Sequence, residues 1–579
     1  MKTQFIIAAA LLAAGAANAA VTYVNQDIAT STTLPALPDG DYYSLTNVVY
    51  VMPGASLTLE AGVIFKNSGD GSLGVARGAQ LFVEGTKYEP VIFTSTNDNF
   101  TAWQAQCNQW GSIAICGNGM ISASHYKGSA VTGSDGVLNS KEPDGGSDKI
   151  MEGLTTAYVG DTRPYYGGND DYDDSGSIKY LSIRYGGQQS SLPNKELNGL
   201  SLGGVGAETD IDYVEVMNNV DDGIEIWGGK VNLSHVNIWN IGDDSFDIDE
   251  GWRGKAQFGL IVQGYSGDYN QGSGLGDNIF EHDGAEDSDA QPVTTAVIAN
   301  FTAIGQGNGN GEDGDGGTAW RDGARIQYRN CIWMDVSEEV VRPDGDDGDG
   351  AQGYGYNGTL TMAEVFSESY TNLPSNGIGI APWTLYTAQT EGTLAGFENC
   401  VFYNNNDYFE FEEMGQTNAA LNNIVEPAVM PIASLVRDTA GFTSTEGKTI
   451  SPVISIDPCA AGVAVDMGAS VKADGFFKEA PYAGGFSADH NWLLGWTAAD
   501  QYGFIDSSSH GESVAINDMV SGGVAMTFDT DEGIEYYVQS SADAGFTTAA
   551  TEAVLVGTGA EMAWADAAAD QTKFFRVVK

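Results

Sequence analysis

The chain has 579 residues, with 78 acidic side chains against 25 basic ones, a formal net charge of -53, 42% hydrophobic residues, 76 glycines and 16 prolines. That length leaves room for about two to four domains, and the apolar content is enough for a core, so wholesale disorder is excluded. So negative a molecule repels phosphate backbones and anionic lipid, which excludes nucleic acid as a partner and leaves divalent cations as the natural counter-ions.

The start carries Lys2, an apolar run from Phe5 to Ala14 and the small-residue pattern Ala17-Asn18-Ala19. Residues 1–19 therefore have the form of a secretory signal peptide, and export to the cell surface or extracellular matrix is expected. No later stretch approaches the run of about eighteen uncharged apolar residues that a membrane span needs, so no transmembrane segment is expected. Five cysteines (Cys107, Cys116, Cys331, Cys400 and Cys459) are too few for a disulfide scaffold. An oxidising compartment permits a bridge such as Cys107 with Cys116, and buried inert thiols are the other reading.

Self-comparison shows the organisation. GASLTLEAG at Gly54–Gly62 returns as GAQLFVEG at Gly78–Gly85, and YVEVMNNVDDGIEI at Tyr213–Ile226 returns without a gap as HVNIWNIGDDSFDI at His235–Ile248, an offset of 22. Half-matches recur as LSIRYGG, NGLSLGG, AVIANFTAIG, RNCIW and ENCVF. Short alternating strands at this spacing cannot each bury a face alone, whereas stacked rungs bury a continuous core. Residues 41–430 are read as a right-handed parallel β-helix in an all-β chain, with residues 20–40 as a lead-in and cap. Residues 431–504 are expected to associate with the helix, and 505–579, with runs such as VAMTFDTDEGIEYYVQSS, to form a small antiparallel β module. Polar, glycine-rich stretches between Met120 and Gly176, at 264–292, 305–318 and 343–355 are expected as long loops leaving the cylinder.

Alternation assigns faces within a rung. Ile224 and Ile226 point inward and Glu225 outward; one rung on, Phe246 and Ile248 point inward and Asp247 and Asp249 outward. The gapless offset then stacks Asp221 with Asp243, Asp222 with Asp244 and Glu225 with Asp247. Carboxylates at one rung spacing repel, so either their pKa values rise or a cation lies between them. Hard oxygen ligands on rigid strands suit calcium, which makes Asp221, Asp222, Glu225, Asp243, Asp244, Asp247 and Asp249 the candidate ligands for Ca2+; a solvated acidic face is the alternative. Asp313 with Asp315, and Asp344, Asp346, Asp347 and Asp349, also form Asp/Gly turns. The twelfth position counted from Asp344 is Gly355, so the latter is no EF-hand.

VDDGIEI and GDDSFDI resemble the motifs that carry the catalytic aspartates of polygalacturonase-type glycoside hydrolases, themselves right-handed β-helices. The resemblance implies catalytic roles for Asp222, Asp243 and Asp244. It stops there: the expected GHG motif is Gly264-Tyr265-Ser266 in this chain, and the RIK motif is matched only by Arg325-Ile326-Gln327. A uronate lyase would need calcium and a basic residue, for which Arg253, Lys255 and Arg184 stand near the cluster, so an enzyme reading rests on Asp222, Asp243, Asp244, Asp247 and Arg253. Trp227, Trp239 and Trp252 are candidates either for a sugar-stacking platform or for packing.

ARGAQLFVEGTKYEPVIFTS, WGSIAICGN, DDGIEIWGGKVN, DDSFDIDEGWRGKAQF and DHNWLLGWTAADQYGFI together make residues 50–505 look like a family of secreted β-helix proteins of Gram-negative bacteria. Size, acidity and glycine content are also similar to those of surface-layer proteins of marine gammaproteobacteria, a likeness that implies calcium-dependent self-assembly into a layer or biofilm matrix. The leading expectation is thus an exported structural protein that binds copies of itself. A polysaccharide-active enzyme and a non-catalytic glycan-binding surface protein are the alternatives.

Overall fold

The computed structural model of the chain describes residues 19–506 except 39, 123–148, 156, 189–196, 266–275, 285–291, 308–315, 344–359, 372–387 and 444–448, and beyond 506 the strands of a terminal module. The signal-peptide reading, but for Ala19, and the Asp/Gly turns at 313–315 and 344–349 lie outside the described residues.

The repeats stack as expected into a parallel β-helix. One coil runs from Leu200–Gly203 through the long strand Asp210–Met217 to Ile224–Trp227, and the next runs through Asn232–Trp239 to Phe246–Asp249. Each strand pairs in parallel with its equivalent one coil away: Val214 opposite Val236, Ile224 opposite Phe246, Ile226 opposite Ile248. Parallel pairing already begins at Val21–Val24, which lies on Tyr42–Leu45, so the coils start ahead of residue 41; the last rung is Ile424–Val425. Inward columns such as Leu200, Ile224, Phe246 and Phe280 fill one continuous core. All five cysteines are buried and unbridged, so Cys107 and Cys116 form no disulfide.

The long strands bend in the middle, giving the coil three faces. The bend residue has a left-handed backbone, which costs a non-glycine residue about 1 kcal/mol. It recurs in register at Tyr180, Tyr213, His235, Phe258, Asn300, Asn330, Asn399 and Asn422, with φ between 52° and 63°. The first four compensate by stacking: ring centroids lie 4.3 Å apart for Tyr180 and Tyr213, 4.1 Å for Tyr213 and His235 and 5.1 Å for His235 and Phe258. The later rungs use asparagine, the residue that tolerates this conformation best.

Two outer layers cover the cylinder. Residues 431–505, built on an antiparallel pair of Ile432–Arg437 and Val453–Ala460, place Ile456, Trp492, Leu493 and Trp496 against the outward side chains Met217, Trp239, Leu260 and Ile304. On another face, Met151, Leu154 and Tyr166 pack on Cys116 and Trp227. Beyond residue 506 two three-stranded antiparallel sheets form the terminal module.

Glu215 fastens the first of these layers. Fully buried on an outward strand position, its carboxylate accepts from the backbone N–H groups of Ala498 (2.6 Å) and Ala499 (3.1 Å), from Ser182 Oγ and from Asn237 Nδ2 (2.9 Å). Truncation would orphan several buried donors at about 1–3 kcal/mol each. Glu215→Ala should therefore destabilise the chain by roughly 2–5 kcal/mol and expose residues 431–505 to limited proteolysis, whereas Glu215→Gln, which keeps an acceptor, should cost less. Equal melting temperatures and digestion patterns for wild type and Glu215→Ala would contradict this role.

Candidate metal centre

The turn before each strand of the third face repeats an asparagine or aspartate whose side chain caps the next rung. Asn198 Oδ1 accepts from the N–H of Asp222 (3.2 Å), Asp222 Oδ1 from that of Asp244 (2.9 Å), and Asp244 Oδ1 from that of Asn278 (2.6 Å). A neutral amide performs this task at Asn198, so the negative charge at the two middle rungs is surplus to the ladder.

Further acid columns flank it. Glu225, Asp247 and Glu281 are register partners on successive strands, and Asp221, Asp243 and Asp277 each precede a ladder residue. Among the described residues, three sets bring one oxygen from each member within 4.8 Å of the others: Asp221, Asp222 and Asp243; Asp222, Glu225 and Asp247; Asp243, Asp244 and Asp277. The expected stacking of Asp221, Asp222 and Glu225 over Asp243, Asp244 and Asp247 is thus the observed geometry. Asp249, two residues beyond Asp247, is half-buried and in none of the three sets.

Asp277, Glu281 and Asp283 form a third tier that the sequence reading missed. DNIFEHD at Asp277–Asp283 repeats DDSFDID at Asp243–Asp249, but the insertion between them stretches the offset from 22 to 34. Removing 264–275 before self-comparison would have exposed it.

The acids point away from the apolar core, yet they are not solvated. Asp222, Glu225, Asp244 and Asp247 are 7, 6, 5 and 6% exposed. Burial raises the pKa of each well above the usual carboxylate range, and neighbouring acids add to it: Asp221 and Asp247 around Asp222, Asp247 and Asp222 around Glu225, Glu281 and Asp243 around Asp244, and Glu281 and Asp249 around Asp247. Among the described residues no basic side chain pairs with these four. Lys149 binds Glu250 and Arg321 binds Glu281 at the margins. Glu225 accepts from Asn198 Nδ2 and lies beside Asp247, whose Oδ1 has no partner and is buried. Two states satisfy such a group: carboxyls that keep their protons, or carboxylates around a hard divalent cation, which takes oxygen ligands of this type.

The basic residues weighed for catalysis are engaged elsewhere. Arg253 is buried and makes a bidentate pair with Asp171 at 2.5 and 2.8 Å; Lys255 pairs with Asp474; Arg184 donates to Ser182, Gln501 and Tyr502. Among the described residues, none of the three pairs with Asp222, Glu225, Asp244 or Asp247. Tyr265 stacks on Phe442 and Ile326 lies in the central core; Ser266 lies outside the described residues. Trp227, Trp239 and Trp252 are at most 5% exposed and serve packing; they form no platform.

Residues 28–378 match a family described as a pectate-lyase like beta helix domain, a span that contains all three acid tiers. No curated protein and no solved structure matches the chain.

The raised carboxyls set a pH dependence. A group that titrates higher when folded than when unfolded contributes stability below the unfolded value, near 4, and loses it as pH rises through the folded value. With chelator present, the melting temperature should therefore fall as pH rises above the ordinary carboxylate range, and Asp222→Asn with Asp247→Asn should flatten that slope. A chelated wild type that melts higher at the alkaline end would contradict the assignment.

Proposed function

We propose, from the premise that the chain belongs to the pectate-lyase-like β-helix domain family, that it is an exported, calcium-loaded structural protein of the cell surface. Its coils hold cations between acid tiers, and its copies pack into a cation-bridged layer or matrix. The observation that carries this reading is the set Asp222, Glu225 and Asp247, buried within 4.8 Å of one another with no basic side chain among the described residues to balance it. A cation there would be held by those three carboxylates, with Asp221, Asp243, Asp244 and Asp277 placed for neighbouring positions. The net charge of -53 supports the second half, because copies so charged associate only where cations neutralise facing surfaces. Export follows from the leader-like residues 1–19, and among the described residues no helix is long and apolar enough to cross a membrane.

The family description favours a second reading, action on an acidic polysaccharide. The engagement of Arg253, Lys255 and Arg184 in other pairs weighs against it, since proton abstraction beside calcium needs a base within reach of the substrate.

Calcium should raise the melting temperature of chelator-treated protein, and a hundredfold excess over Kd corresponds to about 2.7 kcal/mol. Asp222→Asn with Asp247→Asn should abolish that gain. Electron microscopy should show ordered sheets in calcium that disperse in chelator; protein that stays dispersed in both would sink the assembly reading. Turnover of pectin or alginate, lost in Asp244→Asn, would establish the enzyme reading in its place.

A further inference from the structure

The aromatic bend column opens on a cleft of about 440 Å3 between the β-helix, residues 478–492 and the terminal module, whose Tyr537 and Val556 close one side. Lys87, Lys179 and Lys478 line it, together with His235 and His490. The chain holds only 25 lysines and arginines against 78 acids and has five histidines in all, so this convergence runs against the charge of the whole molecule. Lys179 and Lys478 are exposed; Lys87 is buried, its ammonium 5.7 Å from the ring centroids of both Tyr88 and Tyr537.

The rings make one wall of the cleft rigid. Tyr213, His235 and Phe258 stack on one another at 4.1 and 5.1 Å, and Trp492 packs nearly at right angles on Tyr213 and His235, so the wall of the cleft is a fixed aromatic surface. Asp212, fixed by His235 Nδ1 at 2.7 Å, and the exposed Glu479 add acceptors suited to hydroxyl groups. The volume lies in the range of small-ligand sites, about 300–1,000 Å3. A long phosphate polymer meets repulsion from the rest of the surface, whereas a short segment bearing both anionic groups and hydroxyls meets complementary partners.

We propose that this cleft binds a short segment of an anionic glycan, with its carboxylate or sulfate groups held by Lys87, Lys179 and Lys478 and its hydroxyls by Asp212 and Glu479. The lysines need no metal, so the site does not depend on the cation reading.

Calorimetric titration of the full chain in chelator tests it, using an oligogalacturonate, a sulfated chondroitin oligosaccharide and a neutral dextran oligosaccharide as probes. At least one anionic probe should bind and the neutral one should not, with the stronger of the two anionic probes identifying carboxylate or sulfate as the recognised group. Lys179→Gln and Lys478→Gln, both at exposed positions, should each weaken binding about tenfold, and the corresponding Arg variants should retain it. Equal affinity for the neutral probe, no binding of either anionic probe, or an affinity untouched by the double Gln variant would overturn the proposal. So would binding that appears only in calcium and is abolished by Asp222→Asn with Asp247→Asn, because that outcome places the glycan at the acid tiers.

Discussion

Parallel rungs set equivalent residues about 4.8 Å apart, so whatever one coil places in a column the next coil repeats beside it. For Leu200, Ile224, Phe246 and Phe280 the repetition is cohesive and makes the core. For Tyr213, His235 and Phe258 it is cohesive through stacked rings, which offsets the cost of their left-handed backbones. For Glu225 and Asp247 it is repulsive, and burial removes the water that would screen it. One geometric rule therefore generates both the stability of the solenoid and the demand for a counter-ion.

Several basic side chains of the described residues act instead as fasteners. Arg253 holds Asp171, Arg437 holds Asp335, Lys255 holds Asp474, and Arg163 reaches both Asp161 and Asp27. Each ties an outer segment to the cylinder or to another outer segment. Glu215, by receiving the N–H groups at the start of the 498–501 helix, does the same with the opposite charge. Arg321 reaches Glu281 of the third tier, but among the described residues no basic side chain pairs with Asp222, Glu225, Asp244 or Asp247, so balance there has to come from protons or from solution.

The parts of this arrangement that depend on local period were legible in the sequence. The gapless repeat placed Asp222 beside Asp244 and Glu225 beside Asp247, and alternation separated Ile224 and Ile226 from Glu225. Contacts between distant segments were not legible. Nothing local distinguishes an outward Glu225 in water from one that is 6% exposed, or an Arg253 near the acids from one clamped by Asp171. The third tier was hidden for a different reason, since an insertion broke the period without altering the register of Asp247 with Glu281. Likewise the early start of the coils at Val21 rests on pairing with Tyr42–Leu45, across a stretch with no repeat to compare.

The central claim is that metal, and not retained protons, balances the inner set of acids. A crystal of the chain grown with a lanthanide in place of calcium, with anomalous scattering recorded at the metal's absorption edge, addresses it directly. The account predicts a peak at roughly 2.3–2.6 Å from oxygens of Asp222, Glu225 and Asp247. An anomalous map without a peak there, with Glu225 and Asp247 sharing a proton between them, would contradict it.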